Sequence, residues 1–228
     1  MRSAGCIIND IIDQDFDAAV ERTKIRPLAA QNINNFQACL ALLFFLSIGF
    51  IVWLFLSKNA KYASIFSAFL MVIYPFMKRF TNWPQLILGF AFNSGLIVAI
   101  LHSGTFTWDI LILFASLVLW TIFYDTIYAF ADISDDIKIG VKSTAIVMKN
   151  APKFWLTVCN ILIHALLSIY LKWNLIFFIP TGFIYLQALL IKWDITNTKN
   201  CIQTFSNCQI WGLALWLWSE LLIRIISP

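Results

Sequence analysis

The chain has 228 residues, of which 61% are hydrophobic and only 12% are charged. Soluble domains are about 45–50% apolar and about 25% charged, so this composition excludes an ordinary water-soluble globular domain. The formal net charge of +4 does not indicate nucleic-acid binding, because the basic residues are spread over the connections between apolar segments.

Seven apolar segments follow one another along the chain. They cover residues 36–56, 63–77, 86–101, 109–130, 154–171, 175–191 and 210–226. Several approach the roughly 20 residues that a helix needs to cross a bilayer, and all are continuous rather than alternating, which argues against a transmembrane barrel. We therefore predict an all-α, multi-span transmembrane helical bundle around a central cavity, in one domain covering residues 1–228, with seven complete helices after an N-terminal stub.

Lysine and arginine are concentrated in alternate connections between these segments. The basic connections contain residues 22–26, 78–79, 138–153 and 192–199, whereas the intervening connections carry few basic residues. Because basic connections remain in the cytoplasm, we predict an integral membrane protein, in the bacterial inner (cytoplasmic) membrane, with these connections on the cytoplasmic side.

Two clusters of aspartates lie at the predicted cytoplasmic ends of apolar helices. In the first, Asp10, Asp13 and Asp17 are spaced i, i+3, i+7, so at about 100° per residue they share one helix face, from which Asp15 is excluded. The second cluster falls within an arc of roughly 100° of a single helix. Its members are Asp125, Tyr128, Asp132, Asp135 and Asp136.

Such stripes of carboxylates indicate a metal-diphosphate site. Like charges on neighbouring turns repel, and carboxylates near a bilayer are rare and usually functional. Mg²⁺ removes the repulsion, since it binds proteins through carboxylates together with substrate phosphates. The alternative is that each cluster is a solvated acidic helix end.

Basic residues directly follow each cluster. Arg22, Lys24 and Arg26 follow the first, and Lys138 and Lys142 follow the second. Guanidinium and ammonium groups would bind the oxygens of a diphosphate leaving group. The alternative for each of them is anchoring of the connection on the cytoplasmic side.

These residues form motifs that resemble those of the UbiA superfamily of intramembrane prenyltransferases. The first motif is Asn9, Asp10, Asp13 and Asp17, followed by Arg22, Arg26 and Pro27. The second is Tyr124, Asp125, Tyr128, Asp132, Asp135 and Asp136, followed by Gly140, Lys142, Ser143 and Thr144. The form of the second motif is similar to that of the 4-hydroxybenzoate polyprenyltransferase branch. Further residues that resemble that branch are Tyr74, Pro75, Lys78, Arg79, Leu88 and Gly89.

The resemblance implies Mg²⁺-dependent transfer of a polyprenyl group from polyprenyl diphosphate to 4-hydroxybenzoate, in ubiquinone biosynthesis. It implies these metal ligands and catalytic residues: Asp10, Asp13, Asp17, Asp125, Asp132 and Asp136. The substrate-binding candidates are Arg2, Asn9, Lys24, Arg26, Lys78, Arg79, Tyr128 and Lys142. The chain departs from the family at Gln14, where an arginine is usual. The family also has nine transmembrane helices, so we expect this chain to lack the first and most of the second.

Arg2 is a candidate for binding the aromatic acid. It lies two helical turns before Asn9 and is predicted to share the face of Asn9 and Asp13, deeper in the membrane than the aspartates. An arginine there needs a partner, and its planar guanidinium matches a carboxylate in a bidentate pair. The alternative is that Arg2 pairs with a nearby aspartate or a backbone carbonyl.

Three other functions stay open from the sequence. The acceptor could be homogentisate, dihydroxynaphthoate, haem or a chlorophyllide, which other branches of the superfamily use. An ion transporter would also contain carboxylates within the membrane, although here they cluster at one surface instead of the midplane. The third reading is an inactive, truncated copy.

Overall fold

The computed structural model describes the backbone of residues 1–171 and 178–226, and the side chains of residues 1–171 and 179–217. Over these ranges it is all-helical and contains no strand, which confirms the predicted fold class. The helices are α1 (Arg2–Ile12), α2 (Gln14–Ala19), α3 (Asn35–Leu54), α4 (Lys58–Phe80), α5 (Pro84–Ser103), α6 (Asp109–Ala129), α7 (Ile133–Ile139), α8 (Thr144–Met148), α9 (Pro152–Tyr170), α10 (Phe178–Lys192) and α11 (Thr198–Ile226).

Five helices are long and apolar enough to cross a membrane, namely α3, α4, α5, α6 and α9. The other two predicted spans correspond to α10, which has 15 residues, and α11, which has 29 residues and begins with a polar segment. Residues 172–177, in the sixth predicted span and the turn before it, lie outside the described residues. On α3 and α4, large side chains such as Leu43, Phe44 and Phe66 are exposed. Such apolar exposure is expected where lipid covers the surface.

Local signals in the sequence set where the helices begin and end. Asn34 and Gln37 form a reciprocal capping box at the start of α3. Pro84 and Pro152 occupy the first positions of α5 and α9, where the missing N–H costs no hydrogen bond. At the end of α7, Gly140 has φ 73°, a left-handed conformation that glycine adopts without strain.

The central helix of the bundle is α6. It packs against α5 and α9 along its length and also contacts α8 and α11, and its side chains Phe123 and Ile127 are fully buried. On the other side of α5 lies α4, and α1 lies between α3 and α4. This order brings the ends of α1, α4 and α6 to the same end of the bundle.

The prediction of two uninterrupted helices through the aspartate clusters is wrong. The first helix is broken at Asp13, which ends α1 with φ −97° and ψ 6° and precedes α2. The N–H groups of Asp13 and Asp17 still donate to the carbonyls of Asn9 and Asp13, each at 2.8 Å, so the helical phase is largely kept. The second helix is broken between Ala129 and Ile133, and Asp132 is the residue at the N-terminus of α7.

Candidate active site

A cavity lies at the end of the bundle where the C-terminal ends of α4 and α6 meet the start of α5. The α1–α2 segment, the loop after α2 and the short helix α7 close it. Its polar lining residues are Asn9, Asp13, Asp17, Arg22, Thr23, Arg26, Tyr74, Lys78, Gln85, Asp125, Tyr128, Asp132, Asp136, Lys142 and Ser143. The structure therefore brings residues of both aspartate clusters to one cavity.

In the first cluster, Asp13 and Asp17 are buried, with relative exposures of 3% and 7%. Asp13 Oδ2 lies 2.7 Å from Lys78 Nζ. Asp17 Oδ2 lies 2.8 Å from Arg26 Nη1, which also lies 3.1 Å from Asp10 Oδ1. Burial raises the pKa of Asp13, whereas the Lys78 ammonium lowers it. The carboxylates of this cluster are thus each held by a cation.

Arg22 joins the loop after the first cluster to the second cluster. Its guanidinium lies over the Tyr128 ring, 4.6 Å from the centroid, and Nη1 donates to the Tyr128 hydroxyl at 2.6 Å. Nε donates to the two oxygens of Asp132 at 2.8 and 3.1 Å, and Nη2 also contacts Asp132. This is a forked, charge-assisted contact of the kind that fixes two groups in place.

The remaining acidic residues of the second cluster differ in their surroundings. Asp125 and Asp136 line the cavity. Burial, with a smaller effect from the Asp132 carboxylate, raises the pKa of Asp136 to about 7. Asp135 points away, because it pairs with Lys138 at 3.0 Å on the same helix.

Backbone and side-chain hydrogen bonds hold the segment after Gly140 against the cavity. Lys142 N donates to the carbonyl of Lys78 at 2.8 Å. Thr144 N donates to Gln85 Oε1 at 3.1 Å, and the hydroxyls of Thr144 and Thr126 lie 2.6 Å apart in a buried contact. These contacts place Lys142 at the cavity, as its sequence spacing from the second cluster had suggested.

Ten of the fourteen candidate residues from the sequence line the cavity. They are Asn9, Asp13, Asp17, Arg26, Lys78, Asp125, Tyr128, Asp132, Asp136 and Lys142. Asp10 is set back from it, on the far side of Arg26, to which it is paired.

Arg2, Lys24 and Arg79 also lie outside the cavity lining. Lys24 pairs with the exposed Glu21 at 2.7 Å. Arg79 Nη2 donates to the carbonyl of Ile12 at 3.0 Å and so supports the end of α1. The guanidinium of Arg2 lies 5.6 Å from the centroid of the Phe92 ring on α5.

Five polar lining residues were not among these fourteen, namely Arg22, Thr23, Tyr74, Gln85 and Ser143. Arg22 stood in the basic run after the first cluster, and its i, i+4 spacing to Arg26 was a usable signal. Tyr74 belonged to one of the motifs. Gln85 lies in the first turn of an apolar helix, and nothing in its sequence context distinguished it from a residue facing water.

The donor set of the cavity fits Mg²⁺. Within residues 1–171 and 179–217, no group of three or more acidic, histidine or cysteine side chains converges on one metal position. Arg22, Arg26 and Lys78 pair with carboxylates of the cavity. However, Asp13 Oδ1 is buried and has no hydrogen-bond partner in that part of the chain. An unpartnered carboxylate oxygen is unfavourable, and it is the ligand type that Mg²⁺ prefers.

Comparison with known proteins places this geometry in a family. The UbiA prenyltransferase family model matches residues 1–218. The chain is 38% identical to a 4-hydroxybenzoate octaprenyltransferase of Legionella pneumophila (strain Philadelphia 1) over 227 residues, which cover 95% of this chain and 79% of the relative. It is 40% identical to the mitochondrial 4-hydroxybenzoate polyprenyltransferase of Drosophila pseudoobscura pseudoobscura over 226 residues, which cover 95% of this chain and 56% of the relative.

Solved structures show the same fold. The apo structure of a UbiA homologue from Aeropyrum pernix K1 superposes with a TM-score of 0.73 at 21% identity, covering 95% of this chain and 84% of that one. A UbiA homologue from Archaeoglobus fulgidus bound to GPP and Mg²⁺ gives a TM-score of 0.63 at 14% identity, covering 91% of this chain and 82% of that one. With the family match over nearly the whole chain and a cavity lined by both aspartate motifs, this protein belongs to the UbiA prenyltransferase family.

Proposed function

We propose that the chain transfers a polyprenyl group from a polyprenyl diphosphate to 4-hydroxybenzoate, in a Mg²⁺-dependent step of ubiquinone biosynthesis. The names of the relatives from Legionella and Drosophila support this acceptor. The observation that carries the proposal is the cavity itself, where carboxylates from both clusters face basic side chains at one end of a membrane bundle. That arrangement suits a diphosphate bound through metal ions.

Two sets of carboxylates would hold the metal. Asp13 and Asp17 would act from one side of the cavity, and Asp125, Asp132 and Asp136 from the other. When bound between these carboxylates, Mg²⁺ would supply Lewis-acid stabilisation of the negative charge on the departing diphosphate. Asp10 lines the outer side of Arg26, so we assign it to orienting that arginine more than to direct metal binding.

The basic residues of the cavity would bind the diphosphate oxygens. Arg22 and Arg26 offer planar forks suited to phosphate, and Lys78 and Lys142 offer compact charges. As the bond between the prenyl carbon and the diphosphate oxygen breaks, these cations stabilise the charge that develops on the leaving group. The ring carbon ortho to the phenol of the acceptor then attacks the allylic cation. That carbon loses its proton to the released diphosphate, which restores the aromatic ring.

Arg2 is our candidate for binding the acceptor carboxylate. It lies on α1, two turns from Asn9 of the cavity, with its guanidinium against the Phe92 ring. Within the described residues it forms no ion pair with a carboxylate, in contrast to Arg22 and Arg26. A benzoate placed there could pair with Arg2 and stack near Phe92, with its phenol end towards the metal site.

We place the cavity on the cytoplasmic side of a bacterial inner membrane. Lys78, Arg79 and Lys142 lie around the cavity end of the bundle, and basic residues are retained on the cytoplasmic side. A water-soluble diphosphate headgroup would reach the metal site from that side, while the prenyl chain stays in the hydrocarbon.

A reconstituted assay tests the function. The protein in lipid nanodiscs would receive farnesyl diphosphate, labelled 4-hydroxybenzoate and either Mg²⁺ or EDTA. We expect a prenylated benzoate by mass spectrometry, only with Mg²⁺. Homogentisate and dihydroxynaphthoate in parallel reactions would reveal a different acceptor. Product from one of these, with none from 4-hydroxybenzoate, would overturn the proposed acceptor. Absence of product from all three, in folded protein, would overturn the proposed activity.

A further inference from the structure

We propose that the metal and the diphosphate bind this cavity as a coupled pair, because basic side chains of the chain itself hold the carboxylates until a diphosphate draws them away. This inference rests on the proposed function, since it assumes that a diphosphate and a divalent cation share the cavity. The inference describes the ion pairs that the cavity carboxylates form before substrate binds.

Several carboxylates of the cavity are paired with basic side chains. A metal that bound the same carboxylate oxygen would have to displace the basic side chain. Lys78 holds Asp13 at 2.7 Å and Arg26 holds Asp17 at 2.8 Å. Arg22 binds both oxygens of Asp132. A metal that binds either oxygen of Asp132 must therefore displace Arg22, whereas a metal can reach Asp13 through Oδ1, which has no hydrogen-bond partner in the described residues.

The displaced cations could not simply turn to water. Arg22 has only 23% of its side chain exposed and Lys78 only 21%, and a charge left unpaired at such depth is strongly unfavourable. A diphosphate in the same cavity supplies the missing partner, because its oxygens accept the same forked hydrogen bonds. The exchange of Arg22 from Asp132 to the diphosphate is therefore favoured when the metal and the diphosphate bind together.

Arg22 is the most informative of the three cations. It comes from the loop after the first cluster, yet its side-chain hydrogen bonds to described residues are all to Asp132 and Tyr128 of the second. Its release from Asp132 would free a carboxylate on one side of the cavity and present a guanidinium to the diphosphate. Thermodynamic linkage requires that the diphosphate raise the affinity for the metal by the same factor as the metal raises the affinity for the diphosphate.

Metal binding is measured directly with Mn²⁺ by electron paramagnetic resonance, on protein in nanodiscs. The titration is run with and without methylene diphosphonate, a diphosphate analogue that cannot be cleaved. Without the analogue, we expect Arg22→Gln to bind Mn²⁺ about tenfold more tightly than the wild type, as one charge-assisted contact no longer competes. The analogue should then improve Mn²⁺ affinity by a smaller factor than in the wild type.

Two further variants separate competition for Asp132 from a general loss of positive charge. Lys138→Gln removes a cation from α7, where it pairs with Asp135 outside the cavity, and should leave Mn²⁺ affinity within about twofold, as expected for an exposed pair. Arg22→Lys keeps the charge but loses the fork, and should still bind Mn²⁺ more tightly than the wild type. Equal tightening by Arg22→Gln and Lys138→Gln, or no tightening by either Arg22 variant, would overturn the inference.

The outcome is independent of whether prenyl transfer occurs. Protein that shows the coupling but makes no product in the reconstituted assay would refute the proposed function and leave the inference standing. Protein that makes product but shows an unchanged Mn²⁺ affinity in both Arg22 variants, with thermal unfolding like that of the wild type, would refute the inference alone.

Discussion

Replacing Asp13 by asparagine should abolish most of the activity while the bundle stays folded. Asp13 is 3% exposed and lines the cavity, and one of its oxygens has no hydrogen-bond partner within the described part of the chain. Asparagine keeps the shape but removes the charge that a metal requires. The matched control is Asp15→Asn, two residues further along, at an exposed position outside the cavity.

The size of the effect follows from the contacts of the two oxygens. Loss of one preorganised group that stabilises the transition state lowers kcat about 10²–10³-fold, or about 2.7–4 kcal/mol. The other oxygen pairs with Lys78 at 2.7 Å, so the folded protein should lose about 1.5–3 kcal/mol, typical of a hydrogen bond to a charged group. The loss of activity should therefore exceed what destabilisation explains.

The measurement is the initial rate of prenyl transfer in nanodiscs at saturating Mg²⁺, beside the thermal unfolding midpoint of each variant. We expect Asp15→Asn to remain within about twofold of the wild-type rate, as for a surface substitution. A rate for Asp13→Asn within about threefold of wild type would refute the assignment of Asp13 to the metal, because such a change is far below the expected loss. Equal losses in both variants would point to general damage of the α1–α2 segment.

Three further predictions concern other parts of the structure. The folded-state pKa of Asp136 is about 7, against an ordinary value of 3.8, so the metal-free fold loses stability as pH rises through 7. Mg²⁺ with methylene diphosphonate should therefore raise Tm more above pH 7 than below it. Asp136→Asn should remove that difference. Arg2→Leu should raise KM for 4-hydroxybenzoate about tenfold, by loss of a charged hydrogen bond, with little change for prenyl diphosphate; equal changes for both substrates would exclude carboxylate binding. Gly89→Ala should destabilise the bundle by about 1–3 kcal/mol, because its Cβ would lie 2.9 Å from Val118 Cγ1. The control is Gly95→Ala on the same helix, whose Cβ would meet nothing within 4 Å and which should leave Tm unchanged or higher.

The sequence predicted the helical bundle and most of the cavity, because periodicity is a local property. Asp13 and Asp17 were expected on one face and both line the cavity, since the helical phase survives the break between them. The same phase argument included Asp10, but it took no account of Arg26, which lies between Asp10 and Asp17. Helical phase predicts the direction in which a side chain points around the helix axis, but not the distance of that side chain from the cavity.

The pairings of the site were beyond reach of the sequence. Arg22 and Asp132 are 110 residues apart along the chain, and only the packing of the α1–α2 segment against α7 brings them together. The position of Gln85 at the cavity likewise depends on a long-range contact, the hydrogen bond from the backbone N–H of Thr144. Such contacts depend on how elements are oriented in three dimensions, which a pattern of residue types in one chain does not specify.

The two aspartate clusters of the cavity share one local backbone feature. Asp13 stands between α1 and α2 with φ −97° and ψ 6°, and Asp132 stands between α6 and α7 with φ −116° and ψ 5°. In each case one aspartate of nearly the same backbone conformation precedes a short helix, directly after α1 in the first case and three residues after the end of α6 in the second. The directions of both carboxylates are therefore set by two similar backbone turns, and not by the face of one long helix.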